Sequence, residues 1–167
     1  MKAINQFLCE ASQKYFIYLD MDGVICDMDA QFEKLGKGPI DGIVKRGGAG
    51  MFFAMVAKEG IKFWSEMPWT KDGKQLWHFV KQYPCSILSA PTKTRSSFIG
   101  KDMWVNEHLG KNVKRIFDRH KYKYASPDSI LIDDMEKNIK PWIEAGGIGI
   151  LHTDTETTIK KLKEIMI

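Results

Sequence analysis

Two pairs of carboxylates stand out among the residues able to do chemistry: Asp20 and Asp22 after the apolar run Tyr15-Phe-Ile-Tyr-Leu, and Asp133 and Asp134 after Ser129-Ile-Leu-Ile. Gly23 follows the first pair, so the chain leaves its strand in a turn there. Both side chains can then converge on one pocket despite the period-two alternation of a strand. Of two carboxylates placed in this way, one can attack phosphorus while the other handles a proton. Four like charges in one place also need a partner. A hard divalent cation with oxygen ligands, Mg2+ foremost, would offset their repulsion and bind a substrate phosphate. Taken singly, each pair also fits a helix cap or a turn.

The elements that must position these residues follow from the apolar pattern. Residues 15–20, 84–89, 114–117, 129–133 and 147–151 read as short strands. Helical patterns lie between most of them, clearest over 94–109 and 136–145, with Gly110 and Gly146 where C-terminal caps belong and a last helix over about 155–167. This alternation predicts an α/β fold, a Rossmann-like three-layer sandwich with a central parallel sheet and right-handed crossovers. Ligands bind such sheets beyond the carboxyl ends of the strands, where both acidic pairs lie.

Between Asp22 and Ser89 the chain is far longer than one crossover helix requires, and it carries Gly36, Gly38, Pro39, Gly42 and the run Gly47-Gly-Ala-Gly50. Residues 38–68 are therefore expected to form a small, mostly helical cap insertion, with the core domain made by 1–37 and 69–167. The glycine run lacks the Gly-Lys-Ser/Thr ending of a phosphate-binding loop and is expected to be a flexible loop.

At 167 residues, with 44% apolar residues, the chain suffices for one compact domain with room for that insertion. The net charge of +4 is locally dense at Lys111, Lys114 and Arg115 and again at Arg119, Lys121 and Lys123. Such a cluster attracts phosphorylated molecules, although its commoner meaning is a solvated face, and nucleic acid is not the expected partner. Cys9, Cys26 and Cys85 form no CxxC pair and are expected to be reduced thiols, Cys26 as a packing residue. Residues 1–10 lack the continuous apolar core of a signal peptide, and no apolar run nears the roughly 20 residues that cross a bilayer. The expectation is a soluble cytoplasmic protein with no membrane partner; a homodimer is left open.

With these residues in view, most of the chain resembles the haloacid dehalogenase superfamily of phosphatases, and within it the 5'(3')-deoxyribonucleotidases. Asp20-Met-Asp22-Gly23-Val24 is similar to the first superfamily motif, Ser89 at the end of an apolar strand to the second, and Ile132-Asp133-Asp134 to the fourth. For the third motif, a lysine, Lys101 in the stretch Lys101-Asp-Met-Trp104-Val105 is the first choice and Lys121 or Lys123 the alternative. Ser89-Ala90-Pro91, Phe63-Trp64 with Met67-Pro68, and Arg119 resemble elements of the nucleotidase branch. Ser stands in place of Thr in motif two, which keeps a hydroxyl donor, and Met28 stands where the family often has an aromatic residue, which leaves base preference open.

The resemblance implies that Asp20 is the nucleophile, forming an aspartyl-phosphate, and that Asp22 is the general acid and base. It implies Mg2+ held by Asp20, the Asp22 carbonyl and Asp134, with Asp133 ligating through water or orienting the site and Asn138 a possible support. Ser89 and Lys101 would donate to phosphoryl oxygens. Met28, Phe63, Trp64 and Trp69 would form an apolar slot for a base, with Ala90 and Arg119 also facing substrate. The implied activity is hydrolysis of nucleoside monophosphates. Alternatives are a phosphatase for a sugar phosphate or a nucleic-acid 3'-phosphate end, and a non-catalytic nucleotide-binding module on the same fold.

Overall fold

Five parallel strands make one sheet in the order β3-β2-β1-β4-β5 in a computed structural model that describes residues 14–166. They are β1 (Phe16–Leu19), β2 (Cys85–Ser89), β3 (Arg115–Phe117), β4 (Ser129–Asp133) and β5 (Ile148–Leu151). Each lies within one residue of its expected bounds at either end. The central strands are apolar on both sides, the pattern of a parallel sheet covered on both faces. Leu19, the last residue of β1, pairs with both Ile87 and Ile132, so β4 runs one residue and β2 two residues beyond β1 at the carboxyl end of the sheet. The Asp20 N–H then donates to the Ile132 carbonyl at 3.0 Å and carries the pairing one residue further, to the acidic positions.

Alternation divides the sheet residues between two layers. On one face Tyr18, Leu88, Ile116, Leu131 and Leu151 pack with Ile139 and Trp142 of α6 (Glu136–Glu144) and with Tyr124 of a 3-10 turn (Lys121–Tyr124). The opposite set, Ile17, Leu19, Ile87, Ile130, Ile132 and Ile150, is also buried. That leaves its cover to α4 (Gly73–Val80) and α7 (Thr155–Met166), which pack on each other, α7 also against β5. Each buried branched side chain contributes about 1.5–3 kcal/mol relative to exposure.

The described residues divide into two compact units. The first, residues 14–25, 70–90 and 114–166, holds the sheet, the 3-10 turn, α4, α6 and α7. The second, residues 26–69 and 91–113, is helical: α1 (Met28–Lys34), α2 (Ile40–Glu59), α3 (Ile61–Ser65) and α5 (Arg95–His108). The segment 38–68 falls inside this second unit, which takes in 26–37 and α5 as well. Asp27 caps α1 by accepting from the Ala30 N–H at 2.9 Å. The core of the unit is aromatic, with Phe32 5.3 Å from Phe52 and 5.2 Å from Phe63, and Phe63 5.0 Å from Trp64.

One local expectation is corrected. Gly47–Gly50 is not a flexible loop but lies within α2, which is interrupted only at Gly48. Buried Ile43 on one side of the break and Phe52 and Val56 on the other anchor helix on both sides, and this outweighs the roughly 1 kcal/mol that each helical glycine costs. Cys26 is buried and Cys85 partly buried, neither in a disulfide, while Cys9 lies outside the described residues. Among the described residues no helix is long and apolar enough to cross a membrane.

Candidate active site

The first unit gathers its charged residues where β1 and β4 end. Asp20 is the first residue past β1 and Asp133 the last of β4, so adjacent central strands deliver them side by side, and both are buried. Asp134 follows at the rim. One oxygen from each of Asp20, Asp133 and Asp134 lies within 4.8 Å of the others. Asp22 sits in the turn after β1, closed by bonds from the Val24 and Ile25 N–H groups to the Met21 carbonyl at 3.2 and 2.9 Å. Gly23 within this turn has φ +75°, and a Cβ there would overlap the Asp134 carboxylate. Only glycine meets both demands, and the close approach explains how Asp134 is an exposed residue whose carboxyl group is nevertheless walled in by protein.

A lysine completes the cluster. Lys121, 2% exposed, places its ammonium 2.8 Å from Asp20 Oδ1 and 2.5 Å from Asp133 Oδ2. Burial alone would push this ammonium toward neutrality, but Asp20 and Asp133 together hold its pKa above the ordinary lysine value. Asp133 is further fixed by the Asn138 amide, which donates to both of its oxygens at 3.0 and 2.9 Å, and by the Met135 N–H at 2.9 Å.

Negative charge still exceeds positive. Burial, then the charges of Asp20 and Asp133, pushes the Asp134 carboxyl up to about 7. Asp133 is also raised, by burial and by Asp20, against the opposing pull of Lys121 and Asn138. Three clustered carboxylates facing one ammonium suit a hard divalent cation, and Asp134, outermost and without a lysine contact of this kind, is the natural point of attachment. Asp133, already engaged by Lys121, Asn138 and a backbone N–H, is better suited to orienting the group.

The residues singled out from the sequence fall into two sets. Asp20, Asp22, Ser89, Ala90, Arg119, Asp133 and Asp134 belong to the first unit; Met28, Phe63, Trp64, Trp69 and Lys101 belong to the second. Ser89 is fully buried at the end of β2, Ala90 is partly buried beside it, and Arg119 is exposed between β3 and the 3-10 turn. Phe63 and Trp64, 1% and 2% exposed, serve as core of the second unit, whereas Met28 and Trp69 stay partly exposed. The Trp69 ring lies 4.9 Å from Trp104 and 5.9 Å from His108. Lys101 is fully buried with its ammonium 5.1 Å from the centre of the Trp64 ring. Lys121, named from sequence only as an alternative, is the lysine in contact with Asp20. Asp118 and Tyr124, which brace the turn bearing it, were not singled out at all.

No protein-family model matches the chain, and no curated protein does. Solved structures share the fold. A hydrolase of the haloacid dehalogenase-like family from Streptococcus pneumoniae is 16% identical, with 83% of each chain covered and a TM-score of 0.53. Another hydrolase from Streptococcus pneumoniae TIGR4 is 12% identical over 90% of this chain and 100% of that one, also at a TM-score of 0.53. An uncharacterized protein from Corynebacterium glutamicum is 12% identical over 92% and 95% of the two chains, with a TM-score of 0.50. At such identities the likeness is one of fold: the five-stranded parallel sheet with its helices is that of haloacid dehalogenase-like proteins.

Proposed function

We propose that the protein is a Mg2+-dependent phosphomonoesterase that works through an aspartyl-phosphate on Asp20. The observation that carries this reading is the bridging of Asp20 and Asp133 by the buried Lys121 ammonium, with Asp134 beside them at the carboxyl end of the sheet. Such a constellation fits phosphoryl transfer, in which a carboxylate must be oriented as a nucleophile while charge gathers on the phosphoryl oxygens. In this reading Lys121, rather than Lys101, orients Asp20.

The steps balance with the chain's own groups. A carboxylate oxygen of Asp20 attacks phosphorus as the ester P–O bond breaks, and Asp22 protonates the departing alkoxide. A water molecule then attacks the acyl phosphate, giving its proton to Asp22, and inorganic phosphate leaves with Asp20 restored. The Ser89 hydroxyl donates to a phosphoryl oxygen, and Lys121 fixes the orientation of Asp20. Mg2+ would be held by Asp20, the Asp22 carbonyl and Asp134, with Asp133 orienting them, and would supply charge neutralisation for the carboxylates and the phosphoryl group.

For substrate we propose nucleoside monophosphates, with the protein acting as a 5'(3')-deoxyribonucleotidase. Support comes from the Ser89-Ala90-Pro91 and Phe63-Trp64 segments and from the partly exposed Met28 and Trp69, two apolar faces on which a base can stack. Phe63 and Trp64 are core residues of their unit, whereas Met28 and Trp69 are only partly buried. Ala90, next in sequence to Ser89, and Arg119, two residues before Lys121, would contact phosphate or sugar.

The test is phosphate release from a panel of 5'- and 3'-nucleotides, deoxynucleotides and sugar phosphates. Release should require Mg2+, stop with EDTA, favour deoxynucleoside monophosphates, and fall by about 10⁴-fold or more in Asp20→Asn. Folded, Mg2+-supplied protein that releases nothing from any member would overturn the reading, as would an Asp20→Asn variant of undiminished rate.

A further inference from the structure

Asp118, the first residue after β3, takes no part in the chemistry above, yet it makes three bonds around it. Its N–H donates to the Ser89 carbonyl at 3.1 Å and so extends the β2–β3 pairing past the end of both strands. Its Oδ1 accepts the His120 N–H at 2.8 Å and its Oδ2 accepts the Tyr124 hydroxyl at 3.1 Å. These two donors bracket the 3-10 turn, and Lys121 is the first residue of that turn.

The turn needs such a brace. Four residues of 3-10 helix have poor internal hydrogen-bond geometry. Yet this one must hold a long side chain against two buried carboxylates. Tyr124 is a firm anchor at the far end, packed against the Leu88, Leu131, Ile139 and Trp142 cluster with its ring 6.2 Å from Tyr18. The direction of both bonds is fixed at neutral pH. The His120 N–H holds the Asp118 carboxyl below the usual carboxylate range, so it accepts, while burial and then Asp118 push the Tyr124 phenol up, so it donates.

We propose that Asp118 is a positioning residue whose carboxylate sets the Lys121 ammonium against Asp20 by bracing the 121–124 turn at both ends. The catalytic weight of this placement, through the orientation of Asp20, rests on the phosphomonoesterase reading. A misplacement of about 1 Å in such groups costs about 10²-fold in rate.

The experiment has two independent arms, turnover of p-nitrophenyl phosphate and reductive methylation of lysines read by mass spectrometry. In the parent protein Lys121 and Lys101, 2% and 0% exposed, should both resist labelling. In Asp118→Ala, Lys121 should become labelled while Lys101 stays protected, and kcat should fall about 10- to 100-fold with KM changed less than about threefold. Asp118→Asn keeps an acceptor for the His120 N–H and should lose less in both arms. Tyr124→Phe removes one bond only, should give an intermediate result, and serves where the alanine variant does not fold.

Protected Lys121 in a folded Asp118→Ala or Tyr124→Phe protein overturns the proposal, as does equal labelling of Lys121 and Lys101, the mark of general loosening. Selective labelling of Lys121 with kcat unchanged also overturns it. A parent protein that hydrolyses no phosphomonoester, but whose Asp118→Ala variant exposes Lys121 alone, sinks the phosphatase reading and leaves the placement of Lys121 by Asp118 standing.

Discussion

Lys121 is paired with two buried carboxylates at once, and its removal has a predictable sign. Methionine in its place retains most of the apolar stem but leaves Asp20 and Asp133 facing each other with no ammonium between them. Breaking a buried pair by removing one partner typically costs about 3–5 kcal/mol. Lys121→Met should therefore melt well below the parent in EDTA, and part of the loss should return with Mg2+, whose charge can replace that of the ammonium. Chemical denaturation with and without Mg2+ measures both effects; a variant as stable as the parent in EDTA would show that the carboxylates are not strained by each other. The four aspartates were legible in the sequence because strand ends fix where they emerge. The choice between Lys101 and Lys121 was not, because a lysine's reach depends on how its backbone is held, and the short irregular turn at 121–124 leaves no periodic signal. Asp118 was invisible for the same reason, since an aspartate after a strand reads as an ordinary turn residue.

At the scale of elements, the five strands were readable nearly to the residue because each is a short apolar run flanked by turn formers. The grouping of the helices was not. Helix α5 looked like part of the core alternation, yet it packs on α3 in the second unit. The reason lies in one residue: at Gly100 the two helices meet so closely that a Cβ would stand 2.5 Å from Trp64 Cβ and 2.6 Å from the Ile61 carbonyl. Ordinary helix propensity favours alanine over glycine by about 1 kcal/mol, so opposite signs are expected at two helical glycines. Gly50→Ala, in α2 with open space around it, should stabilise by about 0.5–1 kcal/mol. Gly100→Ala should instead destabilise by about 1–3 kcal/mol, as overpacking forces α5 and α3 apart. Urea denaturation of the pair decides it, and a stabilised Gly100→Ala would mean that the contact yields without cost.

For the whole molecule, the sequence suggested one excursion from the core, residues 38–68, whereas the chain passes from one unit to the other at 25–26, 69–70, 90–91 and 113–114. A single insertion can be cut out and its ends rejoined; a unit assembled from two separate stretches cannot. Replacing 38–68 with a short glycine-serine linker would remove Phe52, Val56, Phe63 and Trp64, all buried, and leave α1 and α5 without α2 and α3. At about 1.5–3 kcal/mol for each of those four side chains, the loss is comparable with the 5–15 kcal/mol by which a typical domain is stable. Lys101 would lose the Trp64 ring over which it is buried, and Trp104 would lose the Met67 carbonyl to which its indole N–H donates at 2.8 Å. The deletion variant should therefore be insoluble, or soluble with red-shifted tryptophan emission and no cooperative melting of the second unit, because the residues stripped bare are the aromatic core itself. A soluble deletion variant with a single sharp transition and blue-shifted emission would show instead that α1 and α5 find adequate cover without α2 and α3, and that 38–68 is separable after all.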